Sequence, residues 1–591
     1  MKKTFKTLLA FGLSSAFAFS AVACGAEVID TIDANKTQIY VAVYNGGTGV
    51  DWIKDLAKEW NKTNDNFEIV VNGKEKFNVE TAIGELQSGI TANSDTMFYC
   101  VTPSWNTAAN QGLIEDLSDV LDMRPDGASG RTIREKLGND EISKQQWLSK
   151  QKDAYGNGCY ALPYADSFSG FVFDYQRFVE AGWLIPAAIS DKAAAESDGI
   201  VTETDGKYLK VVSSSSFYYK AGDRLMRAGK DGKFGTYDDG QPITVEEWDA
   251  MINKIVIDSQ RKAFMWTGQY SSYLDSMFWS VLTQIGGYSG MTALQRADSR
   301  GDEVLLSDGT SAVITPQNGY LAYKSDAIKR TLEFIEDNVI PSENINSKSL
   351  SGTFSHTDAQ NAFLLGYLNE RANPETAMLM EGAWWENEAR SFFISLENSG
   401  EDGRGYGQRD YRYMLFPNFD GQVNDKSCLT DIDCGSVAIA KLSDSAADKA
   451  KTAASKDFLA FTLKDENLRK FTVRTGVVRM YDYELTETDR ANMTPFARCV
   501  SDIYRDTEHV QIVRNVLEFN SEFYLYGYYF NWYNNTRNLA YGSMISCMNA
   551  AVKDSSAKSG TDSMLKKYGS LYGESGWAQL LQDMRNNGVN V

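Results

Sequence analysis

The feature that most constrains this chain is an alternation of β-branched runs with amphipathic stretches near its start. Gln38 to Val43 (QIYVAV) has the composition of a strand. It runs into Tyr44-Asn45-Gly46-Gly47-Thr48-Gly49, after which Trp52, Ile53, Leu56, Ala57 and Trp60 recur at helical spacing. Phe67 to Val71 reads as a second strand. Val79 to Thr91, with Ala82, Ile83, Leu86 and Ile90 on one face, reads as a second helix, and Thr96 to Val101 as a third strand. This β-α-β-α-β order predicts an α/β layer built on a parallel sheet. Ligands of such sheets sit beyond the carboxyl ends of the strands. That rule makes Tyr44, Asn45 and the 102–106 turn with Trp105 candidates for a site.

Charge and residue usage remove several function classes. The 591 residues carry 59 Lys plus Arg against 79 Asp plus Glu, a net charge of −20, which repels phosphate backbones and argues against nucleic-acid binding. Only two histidines occur, His356 and His509, far apart in sequence, so histidine catalysis and multi-histidine metal sites lack material. No C-x-x-C pair and no G-x-x-x-x-G-K-[ST] loop is present. Aromatic side chains are abundant instead, with 12 Trp, 31 Tyr and 29 Phe.

The first residues read as an address. Lys2, Lys3 and Lys6 precede an apolar stretch from Leu8 to Ala23, and small residues Ala21-Val22-Ala23 stand just before Cys24. This is the layout of a secretory signal over residues 1–23. It resembles the bacterial lipoprotein signal, with Ala21 where leucine is usual, which implies lipidation of Cys24. A tether follows over residues 24–36. The expected localisation is therefore the extracytoplasmic face of the cell membrane, held by a lipid anchor. Disulfides are permitted there. Cys428 and Cys434 are close enough in sequence to bridge a turn or to remain thiols, and Cys100, Cys159, Cys499 and Cys547 read as buried thiols.

A run of motifs along the rest of the chain carries a family resemblance. The segment Tyr160-Ala-Leu-Pro-Tyr164, continuing through the strand Phe171 to Asp174, Tyr175 and Ala181-Gly182, resembles a "YxLP … YN-x-x-x-F-x-x-AG" pattern. Gly112-Leu-Ile-Glu-Asp-Leu117 resembles "G-x-L-x-x-L". Pro242-Ile-Thr-Val-Glu-Glu-Trp248 resembles a "P-x-T-W-x-E" helix start, in which Thr244 and Glu247 have capping-box spacing. Phe363 to Gly366 with Ala377 to Trp384 resembles "F-x-x-G-x-x-A-M-x-x-x-G-x-W", stretched by an insertion. Tyr413 to Pro417 with Gly435 to Ala440, and Thr475-Gly-Val-Val-Arg479 with arginine where proline is usual, complete the series. Together these motifs resemble bacterial extracellular solute-binding proteins of the carbohydrate, maltose-binding type.

The resemblance implies a periplasmic-binding-protein-like type II α/β fold, two α/β lobes joined by a three-segment hinge. The crossings are expected near 163–167, 415–420 and 478–482. Lobe 1 would comprise 37–165 and 417–479, and lobe 2 166–416 and 480–591, with insertions at 185–240 and 288–321. It also implies a monomeric, non-enzymatic protein that captures a sugar or oligosaccharide between its lobes and delivers it to an ABC permease. A pyranose has an apolar face that stacks on indole or phenol and a rim of hydroxyls that polar groups satisfy. On that chemistry the candidate ligand-binding residues are Tyr44, Asn45, Trp105, Tyr164, Asp166, Trp266, Tyr270, Trp384, Trp385, Asp431 and Arg479, with Asp433 beside Asp431. Core packing is the alternative for the tryptophans, and a hinge salt bridge for Arg479. The aromatic run Tyr524 to Tyr533 reads as the packing face of a C-terminal helix, with lining of the cleft as the alternative.

Other functions compete. A secreted glycoside hydrolase would need two carboxylates ~5–10 Å apart in the cleft, for which Glu381 and Glu386 are candidates. A binding protein for peptides, polyamines or similar solutes, and a surface lipoprotein that scaffolds or adheres, are further alternatives. No cofactor is expected. The loop Asp231 to Gly240 gathers Asp231, Asp238 and Asp239 among glycines, which suggests calcium, but the spacing is not that of an EF-hand and a metal-free turn is the simpler reading.

Overall fold

The computed structural model describes residues 32–75, 77–101, 105–137, 158–187, 201–204, 207–210, 226–270, 272–366, 375–398, 400, 403–430, 435–513, 559–571, 573–586 and 591. Eleven strands form the two sheets that matter for function. In chain order they are β1 (Thr37–Tyr44), β2 (Phe67–Lys74), β3 (Asp95–Cys100), β4 (Leu162–Ala165), β5 (Ser169–Asp174), β6 (Lys262–Met265), β7 (Thr376–Gly382), β8 (Tyr411–Met414), β9 (Ser427–Thr430), β10 (Gly435–Ile439) and β11 (Val510–Val513). The first sheet has the order β2-β1-β3-β10-β4, parallel among β2, β1 and β3, with β10 antiparallel to both its neighbours. The second has the order β11-β9-β5-β7-β6, with β8 also paired to β5.

The opening β-α-β-α-β unit forms as the alternation predicts. Helix α1 (Asp51–Asn61) buries Trp52, Ile53, Leu56, Ala57 and Trp60 against the first sheet. Helix α2 (Val79–Ser88) starts on a capping box between Asn78 and Thr81. It ends three residues earlier than the apolar spacing suggests, because Gly89 leaves the helix at φ +94°. Ile90 thus falls outside the stripe and is exposed. At Thr244 only half of the expected capping box forms. The hydroxyl accepts the Glu247 N–H at 3.3 Å, while the Glu247 carboxylate turns to the Ile243 N–H and to Arg227. The Arg227 hydrogen bond is the main cause that lowers the Glu247 pKa to about 2.

The two sheets define two lobes, and the crossings correct the expected boundaries. The chain leaves the first sheet at Ala165 and enters the second at Ser169. The return expected near 415–420 comes later, after Thr430, because β8 and β9 still hydrogen-bond within the second sheet and β10 is the first strand back in lobe 1. Lobe 1 also extends beyond 479. Tyr483 bonds Thr472, and Asp489 in the next helix pairs with Arg469 at 3.2 Å. The helix Pro495–Arg505, which lies on β8, restores lobe 2. Antiparallel pairing of Asp166 with Val478 sets the first and third crossings side by side.

The second insertion and the described ends of the first join lobe 2. The described ends of 185–240 meet where the Ile185 N–H bonds the Gly240 carbonyl at 2.9 Å. The second insertion is held by the C-terminal helix Glu574–Asn586, whose Trp577 indole donates to the Pro316 carbonyl at 2.7 Å. Cys428 is a buried free thiol that burial pushes up to about 12, so it is not bridged; Cys434 lies outside the described residues. Residues 1–31, with the signal, Cys24 and most of the tether, and the run 524–533 also lie outside them. Among the described residues no helix is long and apolar enough to cross a membrane.

Candidate functional site

Strand order brings several carboxyl ends to one cleft between the lobes, with a volume of about 250 Å³. From lobe 1 come Tyr44 and the Gly46-Gly47-Thr48 turn after β1, Val101 after β3, and Gly435 opening β10. The first crossing supplies Tyr164, Ala165 and Ser167, and Val477 lies beside them. Lobe 2 contributes Tyr270 and Tyr273 near the start of the helix Ser272–Arg296, His356 opening the helix His356–Gly366, and Trp384 and Glu388 just beyond β7. Five aromatic residues from both sides thus line one space.

The lobes touch directly at the Gly47 peptide. Its carbonyl accepts Asn387 Nδ2 at 2.7 Å, and its N–H donates to Glu388 Oε1 at 3.2 Å. Gly47 has φ +43°, and a Cβ there would stand 2.9 Å from Cγ of Trp384. Only glycine lets this turn press against the indole. Behind Glu388, the Gln360 side-chain amide donates to Glu388 Oε2 at 2.7 Å and to Glu381 Oε1 at 3.1 Å. Glu381 is fully buried, and burial together with the Glu388 charge raises its pKa well above the usual carboxylate range. His356 Nε2 lies 3.7 Å from Glu388 Oε1.

Four of the residues named from sequence line this cleft: Tyr44, Tyr164, Tyr270 and Trp384. Six do not. Asn45 is exposed outside it. Trp105 is buried in a small lobe 1 cluster, where its indole donates to Ser436 Oγ at 2.9 Å. Asp166 is fully buried and accepts the Tyr504 hydroxyl across the hinge. Trp266 is buried in the core of lobe 2. Trp385 is sealed among Phe363, Phe393, Tyr411 and Phe496. Arg479 is fully buried, forms no salt bridge with any described residue, and stands between 5 and 6 Å from the rings of Phe471, Trp52 and Tyr481. Asp431 and Asp433 lie outside the described residues.

The cleft adds Tyr273, His356, Glu388, Ser167 and the Gly46–Thr48 turn to the residues named from sequence. Glu381 and Glu386, the candidate hydrolytic pair, are both buried and neither lines the cleft. In the loop 231–240 the carboxylates serve the turn itself. Asp239 accepts the Gly235 N–H at 2.7 Å, Asp238 accepts the Thr236 hydroxyl at 2.9 Å, and Asp231 accepts the Lys233 N–H at 2.8 Å. Among the described residues no cluster of three or more His, Cys, Asp or Glu is placed to hold a metal ion.

No protein-family model matches the sequence, and no curated protein matches it either. Solved structures do. SBP RafE in complex with raffinose superposes with a TM-score of 0.50 and 12% identity, over 91% of this chain and 99% of that one. A chitin oligosaccharide binding protein gives a TM-score of 0.49 at 12% identity over 92% and 99%. The cyclic alpha-maltosyl-1,6-maltose binding protein from Arthrobacter globiformis gives 0.47 at 13% identity over 93% and 100%. The two mixed sheets, the crossings between them and the RafE superposition together identify the fold as the two-lobed α/β fold of the maltose-binding-protein-like solute-binding proteins.

Proposed function

We propose that this chain is the extracytoplasmic, lipid-anchored binding protein of an ABC importer, capturing a sugar or short oligosaccharide between its lobes and presenting it to a permease. The observation that carries this reading is the interlobe cleft with aromatic rings on both walls, Tyr44 on one side and Trp384, Tyr270 and Tyr273 on the other. Stacking buries the apolar face of a pyranose, and the Ser167 and Glu388 side chains offer polar partners for its hydroxyls. A ligand that touches both lobes binds the closed form better than the open one and so shifts the population to closed. No bond of the ligand is broken. At about 250 Å³ the cleft falls below the ~300–1,000 Å³ typical of drug-sized ligands, which favours a small solute. A protein of the same fold is described in complex with raffinose. The lipid anchor rests on the small residues before Cys24.

Thermal-shift screening against mono- and oligosaccharides tests this reading. A cognate sugar at about 100 times its dissociation constant should stabilise the protein by about 2.7 kcal/mol and raise its melting temperature. Stabilisation by a peptide or polyamine with none by any saccharide would replace it.

A further inference from the structure

The cleft is one-sided in its ionisable groups. Among the described residues that line it there is no Lys or Arg, and the only carboxyl is that of Glu388, with the His356 imidazole beside it. Glu388 is held from two sides, by Gln360 on Oε2 and by the Gly47 N–H on Oε1. A carboxylate has about four acceptor positions, so donors on a ligand still find room. Glu381 shares the same Gln360 amide but is fully buried and does not line the cleft, and burial raises its pKa well above the usual carboxylate range. His356 Nε2 lies 3.7 Å from Glu388 Oε1, so the imidazole faces the carboxylate and is not a separate site for an anion.

An anion enclosed here would lose its water and meet no cation in exchange. Glu388 would repel it in a medium of lowered dielectric, and the −20 charge of the chain opposes its approach. A neutral ligand meets no such penalty, and a protonated amine gains a charge-assisted hydrogen bond. We propose that this site sorts ligands by charge, with Glu388 as the selectivity residue: neutral and amine-bearing sugars enter, and carboxylated or phosphorylated ones are rejected. The proposal rests on the sugar-binding reading of the same cleft.

Calorimetric titration of the chain tests it. The probes are glucose, galactose and mannose and disaccharides of each, every one with its 2-amino and uronate counterpart, together with spermidine as an amine without a sugar ring. In the configuration that binds, the uronate should be weaker than the neutral sugar by about a hundredfold. Glu388→Gln should shrink that gap below about tenfold by admitting the uronate, and should separately weaken the amino sugar, whereas Glu388→Asp, which keeps the charge, should preserve the gap. A uronate that binds as tightly as its neutral counterpart overturns charge sorting and leaves the sugar reading standing. Binding of spermidine with no saccharide binding does the reverse. A gap unchanged in Glu388→Gln removes Glu388 from the role.

Discussion

Trp52 and Tyr164 lie face to face, with ring centroids 5.9 Å apart and planes 15° from parallel, so a cleft residue rests on the first helix of lobe 1. The Arg479 guanidinium stands 5.7 Å from the same indole and donates one N–H to the Thr462 carbonyl at 3.0 Å. Its Nε and Nη2 have no hydrogen-bond partner, and burial lowers its pKa. The desolvation of this charge opposes its cation–π contacts. Arg479→Met should therefore shift unfolding stability by no more than about 2 kcal/mol and leave sugar affinity within about twofold, by denaturant titration and calorimetry. Lost affinity in a variant that still folds would return Arg479 to the binding site.

The adjacent tryptophans should separate cleanly. Trp384→Ala removes a cleft wall and should weaken sugar binding about tenfold or more, a loss of about 1.4 kcal/mol, in a folded protein. Trp385→Ala empties a sealed aromatic cluster and should cost about 3–5 kcal/mol of stability. If the binding loss follows Trp385 and not Trp384, the assignment of the wall is wrong.

Gly47→Ala should act on closure. The substitution demands φ +43° of a residue with a Cβ and drives that Cβ to within 2.9 Å of the Trp384 ring. A non-glycine residue in this region is strained by about 1–3 kcal/mol. With saturating sugar, small-angle scattering should show a larger radius of gyration than for the parent chain. An unchanged radius would mean that the turn yields without opening the lobes.

Glu386 supplies a pH signature. Burial raises its pKa to about 7, against the Thr494 hydroxyl bond that lowers it. The native state holds a proton that the unfolded chain releases near its ordinary value of about 4.5. This contribution is therefore present in full below pH ~4.5 and lost as pH rises through about 7, a span of about 3 kcal/mol. Glu386→Gln should remove this fall, so the stability difference between variant and parent should grow between pH 4.5 and 7 and level off above. A difference independent of pH would show that the carboxyl titrates normally.

Cys24→Ser should release the protein from membranes into the soluble fraction, by fractionation of expressing cells. Retention in the membrane fraction would set the lipid anchor aside.

Sequence pattern made the first lobe legible because its order is local: β1 to β3 and their helices follow one another with clear periods. The strand-end rule points to the correct rim of the sheet for Tyr44, and the motif ending at Trp384 points to the facing wall. Position along a strand does not say which way a side chain turns, however, and Trp105, Asp166 and Trp266 turn inward. Tyr273 opens a long helix whose apolar residues surround it on every side, so no stripe marks it out. Glu388 and His356 come together only when the helices from 356 and 385 fold against each other, a relation with no trace in spacing. The second crossing was placed too early because the partners of β9 are distant in sequence.

The interleaving of the sheets has a consequence for how the molecule is made. β10 sits between β3 and β4, and β11 joins the second sheet from near residue 510. As the chain folds from its N-terminus, β3 and β4 must therefore wait as bare edges until residues 435–439 join them, and the other half stays incomplete longer still. Such waiting edges invite pairing with other chains. Neither half is finished until most of the polypeptide exists.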